Sequence, residues 1–317
     1  MAKQDTGSEA LTRLINESLA IEAEAAREAG ALGFMARALV QATLPHRKVD
    51  GNEFTRTNGL FTLSLLSPSA VGLPYGSIPR LLLSWLTTEA VRTKSRELVL
   101  GDSLSAFMRE LALVPTFGRW GSTSRLKEQL KRLFSSTINC AYEHQRISPA
   151  PEAKWDAATW DAAPWGAGGI SYTVADKFML WWHPKSPEQA ALWQSTITLS
   201  ERFFNEVTER PVPIDMRALK ALKKSPMALD IYCWLTYRMS YLRKPTSIPW
   251  EALSGQFGAD YKELRQFRAA FLRELKKVLV VYPEAKVVAV EAGKQGGALR
   301  LLPSLTHIPR GGQTDGG

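Results

Sequence analysis

Two cysteines in 317 residues, Cys140 and Cys233, are too few for a disulfide framework, and neither stands in a CxxC pair that would suggest zinc. Both read as small core residues. The four histidines, His46, His144, His183 and His307, show neither HxH nor HxxxH spacing, so they read as ordinary surface or turn residues and not as metal ligands. No apolar run approaches the roughly 18 residues of a membrane span, and the opening MAKQDTGSEA lacks the apolar core of a signal peptide. A cytoplasmic chain without membrane contact is expected. There is no GxxxxGK[ST] loop; the nearest stretch, Gly72 to Ser77, lacks the lysine, which argues against ATP hydrolysis of the P-loop kind. A strand-nicking chemistry would need paired metal-binding histidines near a tyrosine, and the spacing does not supply them. The expectation is a protein that is not an enzyme and uses no cofactor or metal.

Acidic residues are scarce in one region only. Residues 211–310 hold 17 Lys and Arg against 8 Asp and Glu, whereas residues 1–210 are nearly balanced, so the net charge of +9 is concentrated in the last third. A concentrated positive field suits a polyanion such as nucleic acid. The length is sufficient for two domains with cores of their own.

Residues 9–43 are rich in Ala, Glu and Leu, with Leu11, Leu14, Ile15 and Leu19 at helical spacing, and predict one or two amphipathic helices broken near Gly30 and Gly33. Sustained heptads are missing. In GNEFTRTNGLFTLSLL, Asn58-Gly59 separates two alternating runs, the pattern of a tight hairpin with both of those residues at positive φ. A helix then opens near Pro79, a short strand spans Glu97 to Leu100, Asp102 is placed to cap a helix, and Ser122 or Thr123 a longer one. Strand-like runs follow at 138–145, 170–182 and 196–204, around a Pro/Ala/Trp/Gly-rich insertion from Pro149 to Gly168. The last third repeats the order: a helix from Pro226, a strand at Thr246 to Ile248, a helix from Pro249 to Phe257 closed by Gly258, and a helix to about Lys277 after an Asp260/Glu263 capping box. Val278 to Tyr282, Lys286 to Glu291 and Ala298 to Leu302 read as β. Helix, strand, helix, turn, helix and hairpin is the winged-helix order. The predicted fold is α+β: an N-terminal helical extension (1–52), a first winged-helix domain (53–210), a second (211–305) and a flexible tail (306–317).

In a helix-turn-helix module the second helix lies in the major groove, so its outward face should offer donors to phosphates and base edges. Residues 262–277, projected at about 100° per residue, place Leu264, Phe267, Phe271 and Leu275 on one stripe. The opposite face carries Lys262, Arg265, Gln266, Ala269, Arg273, Lys276 and Lys277. Gln pairs with adenine, Arg with guanine and Lys with phosphate, while a small Ala269 permits close approach. The same projection of residues 123–138 turns Ser124, Arg125, Lys131 and Arg132 outward, with Arg119 nearby and Glu128 interrupting the basic face. Trp160, Trp165, Trp181, Trp182 and Trp193 read as core or interface residues, with stacking on unpaired bases the alternative.

The runs LPYGSIPRLLLSWLTTEAVRT (73–93), SRELVLGDSLSAFMREL (95–111), FGRWGSTSRLKEQLKRLFSSTI (117–138) and EFTRTNG (53–59) resemble the RepA family of plasmid replication initiators. That resemblance implies binding of double-stranded origin DNA at direct repeats (iterons), opening of adjacent AT-rich DNA, and recruitment of the host initiator and replicative helicase in the bacterial cytoplasm. It further implies a monomer–dimer equilibrium in which the first module dimerises and the second dominates repeat recognition. The apolar run from Phe178 to Trp182 would suit such an interface. A winged-helix transcriptional regulator is the alternative.

Overall fold

The computed structural model describes residues 5–22, 24–144, 166–181, 194–258, 261–290 and 297–309. The first part comprises α1 (Asp5–Glu22), β1 (Leu32–Met35), α2 (Arg37–Gln41), β2 (Glu53–Asn58), β3 (Phe61–Leu66), α3 (Ser77–Thr93), β4 (Glu97–Val99), α4 (Leu104–Glu110), α5 (Ser122–Phe134), β5 (Thr137–His144), β6 (Gly166–Thr173), β7 (Ala175–Met179), β8 (Thr196–Leu199) and α6 (Glu201–Glu209). The second comprises β9 (Val212–Asp215), α7 (Met216–Ala221), α8 (Pro226–Met239), β10 (Thr246–Pro249), α9 (Trp250–Phe257), α10 (Leu264–Val281), β11 (Val287–Val290) and β12 (Ala298–Leu301). It is a mixed helix and sheet protein. Among the described residues no helix is long and apolar enough to cross a membrane.

The strands form antiparallel sheets. β2, β3, β5 and β6 lie in that order, β4, β8 and β7 form a second sheet, and β10, β12 and β11 a third. Alternation explains the first sheet: Phe54 and Arg56 of β2 and Phe61, Leu63 and Leu65 of β3 point inward while their neighbours face outward. The hairpin between β2 and β3 differs from its prediction by one residue. Asn58 pairs with Phe61, so Gly59 and Leu60 are the loop residues, and only Gly59 has positive φ, at 59°.

Other boundaries also shift. The N-terminal stretch is not wholly helical, because β1 pairs antiparallel with β9, from Leu32 opposite Asp215 to Met35 opposite Val212. The strand expected over 196–204 ends at Leu199; the Ser200 hydroxyl then accepts the Phe203 N–H at 3.2 Å and starts α6, whose Phe203 and Val207 are buried. Val278 to Val281 read as β yet complete α10, because Phe271, Leu275 and Val278 recur at helical spacing and are buried together. Tertiary packing overrides β propensity there. Ser103, not Asp102, caps α4, and Ser122 and Thr123 bond to Thr116 while Gly121 occupies the cap position of α5. Glu263 is the N-cap of α10 without a side-chain cap bond, and Asp260 lies outside the described residues. The tail expected from 306 starts with docked residues: Ile308 is buried, and His307 stacks on Tyr282 with its Nδ1 2.8 Å from the Tyr232 hydroxyl. Residues 310–317 and most of the 149–168 insertion lie outside the described residues.

One contiguous core runs through the chain, and three polar ties cross it. In the first, Arg80 of α3, 3% exposed, donates Nε to Asp230 Oδ1 and Nη2 to Asp230 Oδ2, both at 2.7 Å. Its remaining donors go to the carbonyls of Leu44 (2.7 Å), Gly76 (2.6 Å) and Pro45 (3.2 Å), which satisfies every N–H of the guanidinium. His46 Nε2 bonds the same carboxylate at 2.7 Å. In the second, Gln256 of α9 donates Nε2 to the Gln41 carbonyl at 2.9 Å, while its own carbonyl accepts from Thr43 at 3.1 Å and Arg56 at 3.3 Å. In the third, Arg217 joins Asp215 to the carbonyls of Ala20 and Glu24.

His46 and His307 are therefore not surface histidines. Burial lowers the His46 pKa; the Asp230 hydrogen bond opposes this and Arg80 adds to it. Burial lowers that of His307 too. The Asp230 carboxyl is pushed up by burial, but Arg80 and His46 more than offset this and hold it below its ordinary value. Both cysteines are buried, and burial pushes the Cys140 thiol up to about 11.

Breaking a buried pair leaves an uncompensated charge, so Asp230→Asn is expected to cost about 3–5 kcal/mol in urea denaturation. The folded histidines bind a proton less readily than the unfolded chain. Stability fully present above about pH 6.5 is therefore expected to fall as the pH drops below that value and through the lowered folded-state pKa values. His46→Gln should flatten part of that slope, and a melting temperature level across this range in the native chain would contradict the assignment.

Candidate nucleic-acid interface

The inner face of α10 explains why its outer face is held still. Phe267 and Phe271 are fully buried; Phe271 meets Trp250, Phe257 and Trp234 edge-on and Phe267 tilted, with ring centroids 5.4–6.5 Å apart. The turn from α9 brings Gly258 so close that a Cβ there would lie 2.4 Å from Phe267 Cδ2. Only glycine fits without moving the ring.

The outer face carries Arg265, Gln266, Ala269, Arg273, Lys276 and Lys277, all exposed, as the projection predicts. Arg265 is 90% exposed, 3.8 Å from Glu263. Lys262 is exposed but precedes the helix in a bend, so it is not a helix-face residue. The projection missed Glu274. Its carboxylate, 7% exposed, takes Arg273 Nε on Oε1 at 3.1 Å and Lys277 Nζ on Oε2 at 2.7 Å. Burial raises its pKa, but Lys277, Ser225 and Arg273 more than offset that. Two of the basic side chains are thus oriented and partly neutralised by an acid beneath them. Arg268 was also missed; half-buried, it lies over the Trp250 ring, 5.5 Å from its centroid.

On α5 the pattern divides. Ser124, Arg125 and Lys131 are exposed, and Arg119 lies beyond the helix start with its guanidinium 5.2 Å from the centre of the Trp120 ring. Ser124 donates its hydroxyl to the Gly118 carbonyl at 2.8 Å. Arg132 departs from expectation. It is 11% exposed, bonds Glu128 (2.7 Å) and the Leu73 carbonyl (3.0 Å), and lies 5.3 Å from the Tyr75 ring centre. It holds the 73–75 loop and is not available to a ligand.

The loop before α5 carries an apolar tip with no counterpart in the helical pattern. Trp120 is 80% exposed, with Phe117 and Val114 beside it in the same loop, and the loop is fixed by Thr116–Ser122 bonds of 2.8–3.1 Å and by the Thr123 hydroxyl on the Thr116 carbonyl at 2.8 Å. Aromatics between glycines in FGRWG were the available signal. Phe178, Met179 and Trp181 are likewise exposed along and beyond β7, an edge strand. Trp160, Trp165, Trp182, Trp193 and His183 lie outside the described residues.

Over residues 73–154 and 153–251 the chain matches the family described as plasmid encoded RepA protein. Among curated proteins no sequence match is found. Two crystal structures are similar to it: domains 2–3 of RctB, with a TM-score of 0.49 and coverage of 84% of this chain and 97% of that one, and a selenomethionine derivative of domain 2 and domain 3 of RctB, with a TM-score of 0.50 and coverage of 84% and 98%. Both are 12% identical to this chain, and the likeness to the second is one of fold alone.

The two arginines of α5 separate support from exposure. Arg132→Ala should lower the unfolding free energy by about 1–3 kcal/mol, through lost charge-assisted bonds. Arg125→Ala should stay within about 0.5 kcal/mol of the native chain. Equal losses in urea denaturation would contradict the distinction.

Proposed function

We propose that this chain, which belongs to the plasmid-encoded RepA protein family of replication initiators, binds repeated sites in its origin with the outer face of α10 in the DNA major groove. The observation that carries this reading is the exposed run of Arg265, Gln266, Ala269, Arg273, Lys276 and Lys277 on a helix whose other face is locked by aromatic packing. Residues 211–305 then act as a winged helix with α9 and α10 as helix-turn-helix and β11–β12 as wing. Ala269 lets the backbone approach the bases, Gln266 and Arg265 read base edges, and Lys276 and Lys277 hold phosphates.

Residues 53–210 supply a second winged helix in which Arg119, Ser124, Arg125 and Lys131 make a weaker contact, with Lys262 a phosphate contact at the start of α10. The exposed edge at Phe178 and Met179 serves self-association in a monomer–dimer equilibrium. Binding energy spread over adjacent repeats opens AT-rich DNA and presents it to the host initiator and replicative helicase. No catalytic residue or cofactor enters this scheme.

Gel-shift titration on the DNA flanking the protein's own gene tests it. Arg265→Ala, Gln266→Ala and Arg273→Ala should each weaken binding to the repeat by about 1–3 kcal/mol. Affinity should also fall with salt by about 0.9 log units per phosphate contact for each log unit of salt. Unchanged affinity in all three variants would overturn the assignment of this face. Loss of a minimal origin plasmid in cells lacking the protein separates initiation from transcriptional regulation.

A further inference from the structure

Away from the outer face of α10, a cavity of about 290 Å3 opens where residues 37–58 meet the second half of the chain. Gln41 at the end of α2, Asn58 at the end of β2, and Tyr237, Arg238 and Tyr241 around the C-terminus of α8 line it, with Gln256 of α9 behind. No carboxylate is among its lining residues.

Positive charge is present without a partner. Arg238 donates Nη1 to the Tyr241 hydroxyl at 2.7 Å, but its Nε is buried with no hydrogen bond. The Nε of Arg37 is in the same condition. Arg37 lies one turn before Gln41, a lining residue, on α2. Neither arginine has an ion-pair partner among the described residues. A guanidinium lining a polar cavity that no carboxylate lines suits an anion seated there.

The remaining walls suit a flat ring with hydrogen-bonding edges. Tyr237 and Tyr241 present two rings 5.1 Å apart at 64°. Asn58 and Gln256 both use their amide N–H on the Gln41 carbonyl, and Gln41 Oε1 faces the Tyr142 hydroxyl at 3.2 Å. That leaves Asn58 Oδ1 and Gln256 Oε1 as acceptors and Gln41 Nε2 as a donor. An aromatic platform, amide edges and a guanidinium without an ion-pair partner among the described residues together recognise a base and a phosphate. The volume is at the lower end of ligand pockets, roughly 300–1,000 Å3.

We propose that this cavity binds a nucleotide, with the base against Tyr237 and Tyr241 and the phosphate on Arg238. The nucleotide is either free in solution or one unit of an unpaired DNA strand.

Isothermal titration of the full chain with dAMP, adenosine, inorganic phosphate and a short 5′-phosphorylated single-stranded oligonucleotide tests this. dAMP is expected to bind more tightly than adenosine or phosphate, and Arg238→Gln to weaken it at least about tenfold. If Arg238→Gln melts below the native chain, Tyr241→Leu, which removes one of the two lining rings, provides the same reading. Binding of the oligonucleotide but not of dAMP, weakened by the same variants, assigns the site to an unpaired strand. No binding of either probe, phosphate binding as tight as dAMP, or affinities unchanged in both variants would overturn the proposal. Arg265→Ala should leave dAMP binding intact and Arg238→Gln should leave duplex gel shifts intact, so the two readings fail separately.

Discussion

The carboxylate of Asp230 holds the two halves of the chain together. A buried carboxylate is costly unless it is paired, and Arg80 meets it with two parallel N–H bonds while placing its other donors on the 44–45 and 76 carbonyls. Three separated pieces of sequence are thereby held at one point: the loop after α2, the start of α3 and the first turns of α8. Hydrophobic contact alone would permit these surfaces to slide; a bidentate pair with every donor satisfied admits one geometry. His46, whose pKa burial lowers, completes the arrangement and makes it sensitive to acid.

The basic surface of α10 is weaker in charge and better ordered than its composition implies. Glu274 lies beneath the helix face and draws Arg273 and Lys277 toward it, so part of their charge is already met inside the protein. For a ligand-reading helix this is a favourable exchange. Long side chains lose rotamer freedom on binding, and a side chain already tethered loses less. Arg265, at 90% exposure, has no such support, and its contribution depends on finding a phosphate or base edge directly.

The spacing of Leu264, Phe267, Phe271 and Leu275 was enough to identify both faces of α10, because a buried stripe at 3.6-residue period leaves the opposite side to solvent. The same projection failed at Arg132, whose partners Leu73 and Tyr75 are some sixty positions away in sequence; no property of α5 alone reveals them. Val278 to Val281 misled through β propensity, which yields to burial against neighbouring elements. β1 was illegible for a similar reason, since four residues become a strand only when β9 supplies the partner. His46 and His307 carry no local sign of burial. Trp120 was visible but unread, because an aromatic in a glycine-bounded loop has no periodicity to interpret.

One stripe of α8 joins these features. Asp230, Trp234 and Arg238 follow one another at intervals of four and so lie along one side of the helix. The first pairs with Arg80, the second packs edge-on to Phe257 and Phe271 beneath the α10 face, and the third opens onto the cavity. The helix dipole helps at one end only. It favours a carboxylate near the N-terminus, where Asp230 lies about one turn in, and disfavours an anion at the C-terminus, where the cavity opens. An anion seated there must be held by Arg238 against that field. The same helix thus supplies its own anion at one end and, at the other, needs a guanidinium to accept one.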